Sequence, residues 1–70
     1  MKLPPGDFNR MEFLLGKAKV QGLAPLEQDE LRRYIITEQP SAQNSSLDDL
    51  IKLGLILVGI YLLAKALEEM

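Results

Sequence analysis

The stretch that decides the fold is residues 47–70, LDDLIKLGLILVGIYLLAKALEEM. Between Lys52 and Lys65 it contains twelve uncharged residues, nine of which are Leu, Ile, Val or Tyr. It contains no proline, and Ser46 followed three residues later by Asp49 is a typical helix N-cap pair. These features predict one continuous helix over 47–70 that is apolar on every face. Such a helix has to be buried on every side.

The rest of the chain is too short to bury this helix. The protein has 70 residues and contains neither cysteine nor histidine. A soluble chain of this size buries only about 60% of its unfolded surface and usually needs a metal, a disulfide or a partner. The missing residue types exclude disulfides and the common thiolate and imidazole metal sites. We therefore expect a lipid bilayer or other protein chains to cover the helix.

Length decides between these two environments. Twelve apolar residues are fewer than the roughly twenty that a membrane span normally needs. Lys52 and Lys65, however, can extend their stems along the helix and snorkel, which places their ammonium groups at the two interfaces. The apolar core of the span then runs over residues 50–67, roughly 27 Å, which matches a thin bilayer. We therefore predict a single membrane span. Its apolar side chains are those of Leu50, Ile51, Leu53, Leu55, Ile56, Leu57, Val58, Ile60, Leu62, Leu63 and Leu67.

Three residues inside the predicted span are candidates for helix packing, namely Gly54, Gly59 and Tyr61. Glycines allow the backbones of two helices to approach closely. The two glycines are five positions apart in sequence, about 140° around a helix, so they do not form one groove. Each glycine can instead line a packing face of its own.

The cations that flank the span predict its orientation. Arg32, Arg33 and Lys52 lie on the N-terminal side, and Lys65 is the one cation on the C-terminal side. Because cytoplasmic flanks carry the excess of basic residues, the N-terminus is predicted on the cytoplasmic or interior side.

Residues 8–39 have the pattern of two short amphipathic helices, arranged as a helical hairpin or at a helix–turn–helix angle. Asn9 is followed three positions later by a glutamate, a capping pair that leaves residues 1–7 as an N-terminal arm. Gly22 suits the end of the first helix, and Pro25 suits the first position of the second. The apolar side chains of the two helices form a stripe that is too small to be a core by itself. We therefore predict that this stripe docks on another protein or on copies of this chain. We define this docking stripe as Met11, Leu14, Leu15, Leu31, Tyr34 and Ile35.

Residues 40–46, PSAQNSS, are uncharged and rich in turn formers. They predict a polar linker between the hairpin and the long helix. The predicted fold is therefore all-α, with a two-helix N-terminal module, a polar linker and one long C-terminal hydrophobic helix that crosses a membrane.

Composition argues against catalysis and against nucleic-acid binding. Residues 1–46 contain six basic and six acidic side chains, and residues 47–70 contain two basic and four acidic ones. No segment is strongly basic, so a phosphate-binding surface is not expected. The sequence also shows no constellation of nucleophile, base or metal ligands. We therefore expect no enzyme activity, no catalytic residue, no cofactor or metal site and no small-molecule substrate.

The most consistent function is that of a small single-pass membrane protein that acts in assembly. It would be a structural or interaction subunit of a membrane complex or of a membrane-containing virus particle. A holin-like protein that permeabilises membranes is one alternative, although Tyr61 is the one polar side chain between Lys52 and Lys65 that could line water. The other alternative is a soluble helical homo-oligomer with residues 47–67 as its shared core. The heptad spacing of such a core is present at Ile51, Leu55, Val58 and Leu62.

Overall fold

The computed structural model describes residues 2–69, and all its regular structure is helical. Helix α1 spans Pro5–Val20, α2 spans Pro25–Glu38 and α3 spans Leu47–Glu68, with a short 3-10 helix at Pro40–Asn44 before α3. No strand occurs among residues 2–69. The predicted all-α architecture with one long apolar C-terminal helix is therefore confirmed.

Helix α1 begins before its predicted cap. Its N-cap is Pro4, and Pro5 occupies the first helical position. Proline suits this position because its fixed φ is helical and its missing N–H would have no partner there. Asn9 consequently lies inside the helix and does not cap it. The prediction that residues 1–7 form an arm outside the helix is thus wrong from Pro5 onwards.

The turn between α1 and α2 follows the prediction. Gly22 has a φ of 82°, a left-handed conformation that favours glycine, and its N–H donates to the carbonyl of Lys17 at 3.1 Å. Pro25 then begins α2. Ala24, at the N-cap, has no side-chain acceptor, but its N–H donates to Oε1 of Glu27 at 3.0 Å. These contacts reverse the chain and form the hairpin.

The predicted linker at residues 40–46 is not an extended connection. Most of it forms the 3-10 helix, in which Ala42 is buried. The guanidinium of Arg32, on α2, donates to the carbonyls of Gln43 and Ser45 at 3.1 and 2.9 Å. The segment is therefore folded back on α2, and α3 begins beside the hairpin instead of at a distance from it.

Helix α3 is continuous over Leu47–Glu68. Oγ of Ser46 accepts a hydrogen bond from the N–H of Asp49 at 3.3 Å, as the capping pair predicts. Gly54 and Gly59 do not interrupt the helix, because glycine weakens a helix without removing a backbone donor. The prediction of one unbroken helix is confirmed from Leu47 to Glu68, Glu69 is the C-cap, and the last residue of the chain lies outside the described residues.

Helix α3 packs along both helices of the hairpin. Leu15 of α1 contacts Gly54, and seven residues earlier the ring of Phe8 stacks on that of Tyr61, with centroids 4.4 Å apart. Helices α1 and α3 are therefore antiparallel. The backbone N–H of Leu3 also donates to a carboxylate oxygen of α2 at 2.7 Å, which draws the start of the chain into the fold. The buried core consists of Leu3, Phe8, Met11, Leu14, Leu15, Leu31, Ile35, Ala42, Leu50 and Val58.

Gly54 allows this close approach of α3 to the hairpin. A Cβ atom at position 54 would lie 3.0 Å from Cδ2 of Leu15 and 3.3 Å from Cδ1 of Ile35, closer than ordinary van der Waals contact. Gly59 lies on the opposite side, where a Cβ atom would have no such neighbour within 4 Å. The two glycines therefore face different surroundings, as their five-residue spacing predicts.

This difference is testable by substituting each glycine with leucine. Gly54→Leu is expected to lower the free energy of unfolding by about 1–3 kcal/mol, because the added side chain overpacks the contact with the hairpin. Gly59→Leu is expected to raise it by up to about 1 kcal/mol through the better helix propensity of leucine. Urea unfolding followed by circular dichroism measures both, and equal effects would contradict the described packing.

Candidate membrane interface and docking stripe

Helix α3 is long and apolar enough to cross a membrane. Over its best window the mean hydropathy is 2.1, and only 17% of that window is buried in the fold. It is the one helix with these properties among the described residues. Its low burial is the important property, because the core helix of a soluble protein is mostly buried.

The hairpin covers only one face of α3. Leu50, Gly54 and Val58 are buried against it, and Tyr61 is half-buried. These residues recur every three or four positions and so lie on one side of the helix. The opposite face is apolar and has exposed fractions between 40% and 64% for its large side chains. We call this the outer face, formed by Leu55, Ile56, Ile60, Leu62, Leu63 and Leu67.

The outer face is large enough to require cover. Full burial of one such side chain contributes about 1.5–3 kcal/mol, so six half-exposed side chains together correspond to several kcal/mol. A contiguous apolar patch of this kind typically marks a membrane or protein contact. Lys52 and Lys65, the predicted snorkelling residues, are both exposed; Lys52 precedes the patch, and Lys65 comes just before its last member, Leu67. Between them, the exposed side chains of α3 are uncharged.

The three packing candidates of α3 do not share one face. Gly54 faces the hairpin and Gly59 faces outward. The ring of Tyr61 is nearly parallel to that of Phe8, with an interplanar angle of 6°. Phe8 is not part of the docking stripe predicted from the sequence. Phe8 precedes Met11 by three positions and Leu15 by seven. Helical periodicity therefore places it on the same face of α1 as the docking stripe.

The docking stripe is occupied by α3 in this structure. Five of its residues have at most 2% of their surface exposed, and the sixth, Tyr34, is half-buried. The prediction that two short helices cannot enclose α3 agrees with the exposed outer face. The stripe nevertheless has an intramolecular partner, which the sequence reasoning did not consider. In this arrangement it is not a free surface.

Ion pairs on the outside of the hairpin join α1 to α2. Nε of Arg10 lies 2.8 Å from Oε2 of Glu30, and the hydroxyl of Tyr34 donates to the same oxygen at 2.8 Å. Nζ of Lys17 lies 2.6 Å from Oε2 of Glu27. These pairs connect residues 10 and 20 positions apart, so they could not be recognised from helical spacing within one helix.

The ion pairs shift the pKa values of their members. The hydrogen bond from Arg10, followed by that from Tyr34, lowers the pKa of Glu30 below its ordinary value. The same carboxylate raises the pKa of Tyr34. The pKa of Glu27 is lowered mainly by the hydrogen bond from Lys17 and then by that from the backbone of Ala24. These groups connect α1 to α2 on the outside of the hairpin.

Residues 2–69 contain no group of three or more acidic side chains placed to hold a metal ion. Comparisons of the chain with protein-family models, with curated proteins and with solved structures give no match.

The lowered pKa of Glu30 predicts a specific acid sensitivity. Because this pKa is lower in the folded than in the unfolded chain, the ionised carboxylate stabilises the fold above its unfolded-state pKa. That stability is lost as the pH falls through the folded-state pKa. Glu30→Gln is therefore expected to reduce the difference in unfolding free energy between neutral and acidic pH, as measured by urea titrations. Arg10→Gln removes the main cause of the shift and should act in the same direction. An unchanged acid sensitivity in Glu30→Gln would contradict the assignment.

Proposed function

We propose that this protein is a small single-pass membrane protein that acts in assembly, with α3 as its anchor and the hairpin as its docking module. The observation that supports the anchor is a 22-residue helix of high hydropathy of which only 17% is buried by the chain itself. A bilayer would remove every face of this helix from water, whereas the hairpin covers one face only.

The shape of the docking stripe suggests the chemistry of its partner. The groove between α1 and α2 accommodates an apolar helix, and Gly54 lies where Leu15 and Ile35 leave too little space for a side chain. A helix that replaces α3 there needs an apolar face and a small residue at the same crossing point. We infer that the partner supplies such a helix, either from another protein or from a second copy of this chain. Neither a nucleic acid nor a small-molecule substrate is proposed.

The proposed setting is a membrane complex or a membrane-containing virus particle, with the N-terminus on the cytoplasmic or interior side. The orientation follows from the excess of cations before the span, Arg32, Arg33 and Lys52 against Lys65. A pore-forming function is less favoured. Tyr61 is the one polar side chain between Lys52 and Lys65, whereas a pore wall needs polar groups along one face.

Membrane anchoring is tested by a charge on the outer face. Ile60 is 49% exposed, so Ile60→Asp leaves the packing of the hairpin intact. A carboxylate near the centre of a span costs about 3 kcal/mol, which predicts an approximately 100-fold weaker partition into membranes. The measurement is the fraction of protein that stays with membranes after alkaline carbonate extraction.

The matched control is Lys52→Leu, which removes a charge at the end of the span and is expected to leave the membrane fraction unchanged. Complete extraction of the unmodified protein by carbonate would contradict the anchor. If the extracted protein then sediments as a helical oligomer, the soluble homo-oligomer is the correct alternative.

Docking is tested by a charge in the stripe. Ile35 is fully buried, and burial of an unpaired carboxylate typically costs several kcal/mol. Ile35→Asp is therefore expected to remain carbonate-resistant but to shift its detergent-solubilised complex to the mass of the chain alone. Lys19→Asp, on the exposed side of α1, is the control and should leave the complex intact. Unchanged mass in Ile35→Asp would contradict docking through the stripe.

A further inference from the structure

The packing of α3 on the hairpin is incompatible with α3 spanning a bilayer. This incompatibility arises from the register of α1 against α3. Phe8 lies beside Tyr61, and Leu15 lies beside Gly54. The segment of α1 between these two contacts therefore lies beside the middle of the predicted span, residues 50–67.

This middle segment of α1 carries charge. Arg10 belongs to it, and its guanidinium binds Glu30 of α2 on the outside of the hairpin. The two side chains have 44% and 22% of their surface exposed, so water solvates the pair. If the three-helix fold entered a bilayer around α3, this pair would lie near the centre of the hydrocarbon. Charged groups at that depth cost several kcal/mol each, even when they are partly compensated.

The alternative is that α3 separates from the hairpin. On the side of α3 the contact is made by Leu50, Gly54 and Val58 and by the ring of Tyr61. Lipid chains can replace such contacts without loss of hydrogen bonds. The outer face of α3 is already exposed, so insertion moves six further large side chains from water into lipid. The free energy gained by this transfer offsets the free-energy cost of exposing the docking stripe to water.

The connection between the hairpin and α3 can act as the hinge. Its 3-10 helix is short, and the described contacts of its backbone to α2 include two hydrogen bonds, both from Arg32. Short 3-10 segments are held by poorer hydrogen bonds than α-helices and are common as connectors between helices. A rotation at residues 39–46 would separate α3 and leave the direct contacts between α1 and α2 in place, among them the Arg10–Glu30 and Lys17–Glu27 pairs.

We propose that the three-helix fold is the closed, water-exposed form of the protein, and that α3 leaves the hairpin when it enters the bilayer. The docking stripe is then covered in water and uncovered at the membrane, so that the partner binds only the inserted protein. This inference rests on the proposed membrane anchor. It adds that anchoring and docking are coupled through one shared apolar surface.

The test is a cross-link that holds the fold closed. Pro5 and Ala64 are both exposed and line the same cleft between the start of α1 and the end of α3. Because the chain contains no cysteine, Pro5→Cys with Ala64→Cys can be joined selectively by a short bismaleimide. In a spanning helix position 64 is at the far side of the membrane from the hairpin. The cross-link therefore prevents insertion unless the hairpin crosses as well.

The depth of α3 is measured by fluorescence. The chain has no tryptophan, so Ile60→Trp on the outer face introduces a single reporter near the centre of the span. In phosphatidylcholine vesicles with lipids brominated deep in the acyl chain, the uncross-linked protein is expected to be quenched severalfold more than the cross-linked one. The matched control is Lys17→Cys with Glu27→Cys, whose side chains face each other across α1 and α2. The same reagent links α1 to α2 at these positions. The tryptophan reporter should then still be strongly quenched by the deep brominated lipids.

The possible outcomes distinguish the opening of the fold from the membrane anchor. Deep quenching in the protein with Pro5 and Ala64 cross-linked would overturn the opening of the fold while leaving the membrane anchor intact. Shallow quenching without any cross-link would overturn the anchor and, with it, this inference. As a second measurement, the yield of the Pro5–Ala64 cross-link should fall at least tenfold when vesicles are added before the reagent. An equal yield in water and in vesicles would also overturn the proposal.

Discussion

The structure depends on the mismatch between one helix that is apolar on every face and two helices that are apolar on one face each. The hairpin covers the side of α3 around Gly54, where Leu15 and Ile35 pack closely, and leaves the outer face exposed. A chain of this size buries too little surface to be more than marginally stable. The uncovered outer face of α3 is therefore a direct consequence of composition and length, and it accounts for the membrane function that we propose.

The distribution of charge follows from the same mismatch. Because α3 occupies the inner side of both hairpin helices, their charged residues are confined to the outside, where Arg10 and Glu30 and also Lys17 and Glu27 pair across the two helices. Exposed pairs of this kind contribute little to stability individually. Their more important effect is to place charge on the outside of the hairpin, although Phe13, Val20 and Leu26 are also exposed on these two helices. The charged outside of the hairpin favours water, whereas the outer face of α3 favours lipid. The two parts of the chain therefore favour different environments.

The docking stripe and the face of α3 that packs on it bury each other in this fold. Only α3 has a second environment, the bilayer, that can bury the same face. Lipid can replace the hairpin around α3, since a bilayer makes no demand other than apolar side chains and satisfied backbone groups. The hairpin has no such substitute in water, because its stripe would be exposed. A protein with this asymmetry is suited to present a binding surface only after its other part has been inserted.

Much of the fold could be predicted from the sequence because the relevant signals are local. The continuous α3, its cap at Ser46, the turn at Gly22 and the start of α2 at Pro25 each depend on residues within one or two turns. The start of α1 was misplaced because Pro5 and Asn9 both suit a helix N-terminus, and local patterns do not rank them. Periodicity likewise identified the docking stripe but not what it contacts.

The tertiary structure decided the features that depend on residues far apart in sequence. The partner of the stripe, the register of Phe8 against Tyr61, the folded connection held by Arg32 and the cross-helix ion pairs all join separate segments. A hydrophobic pattern shows which surface must be buried, because any apolar surface is unfavourable in water. It does not show which segment or partner buries that surface. The choice of partner depends on shape, on close approach at a glycine and on the path of the chain. These are determined only when the helices are assembled.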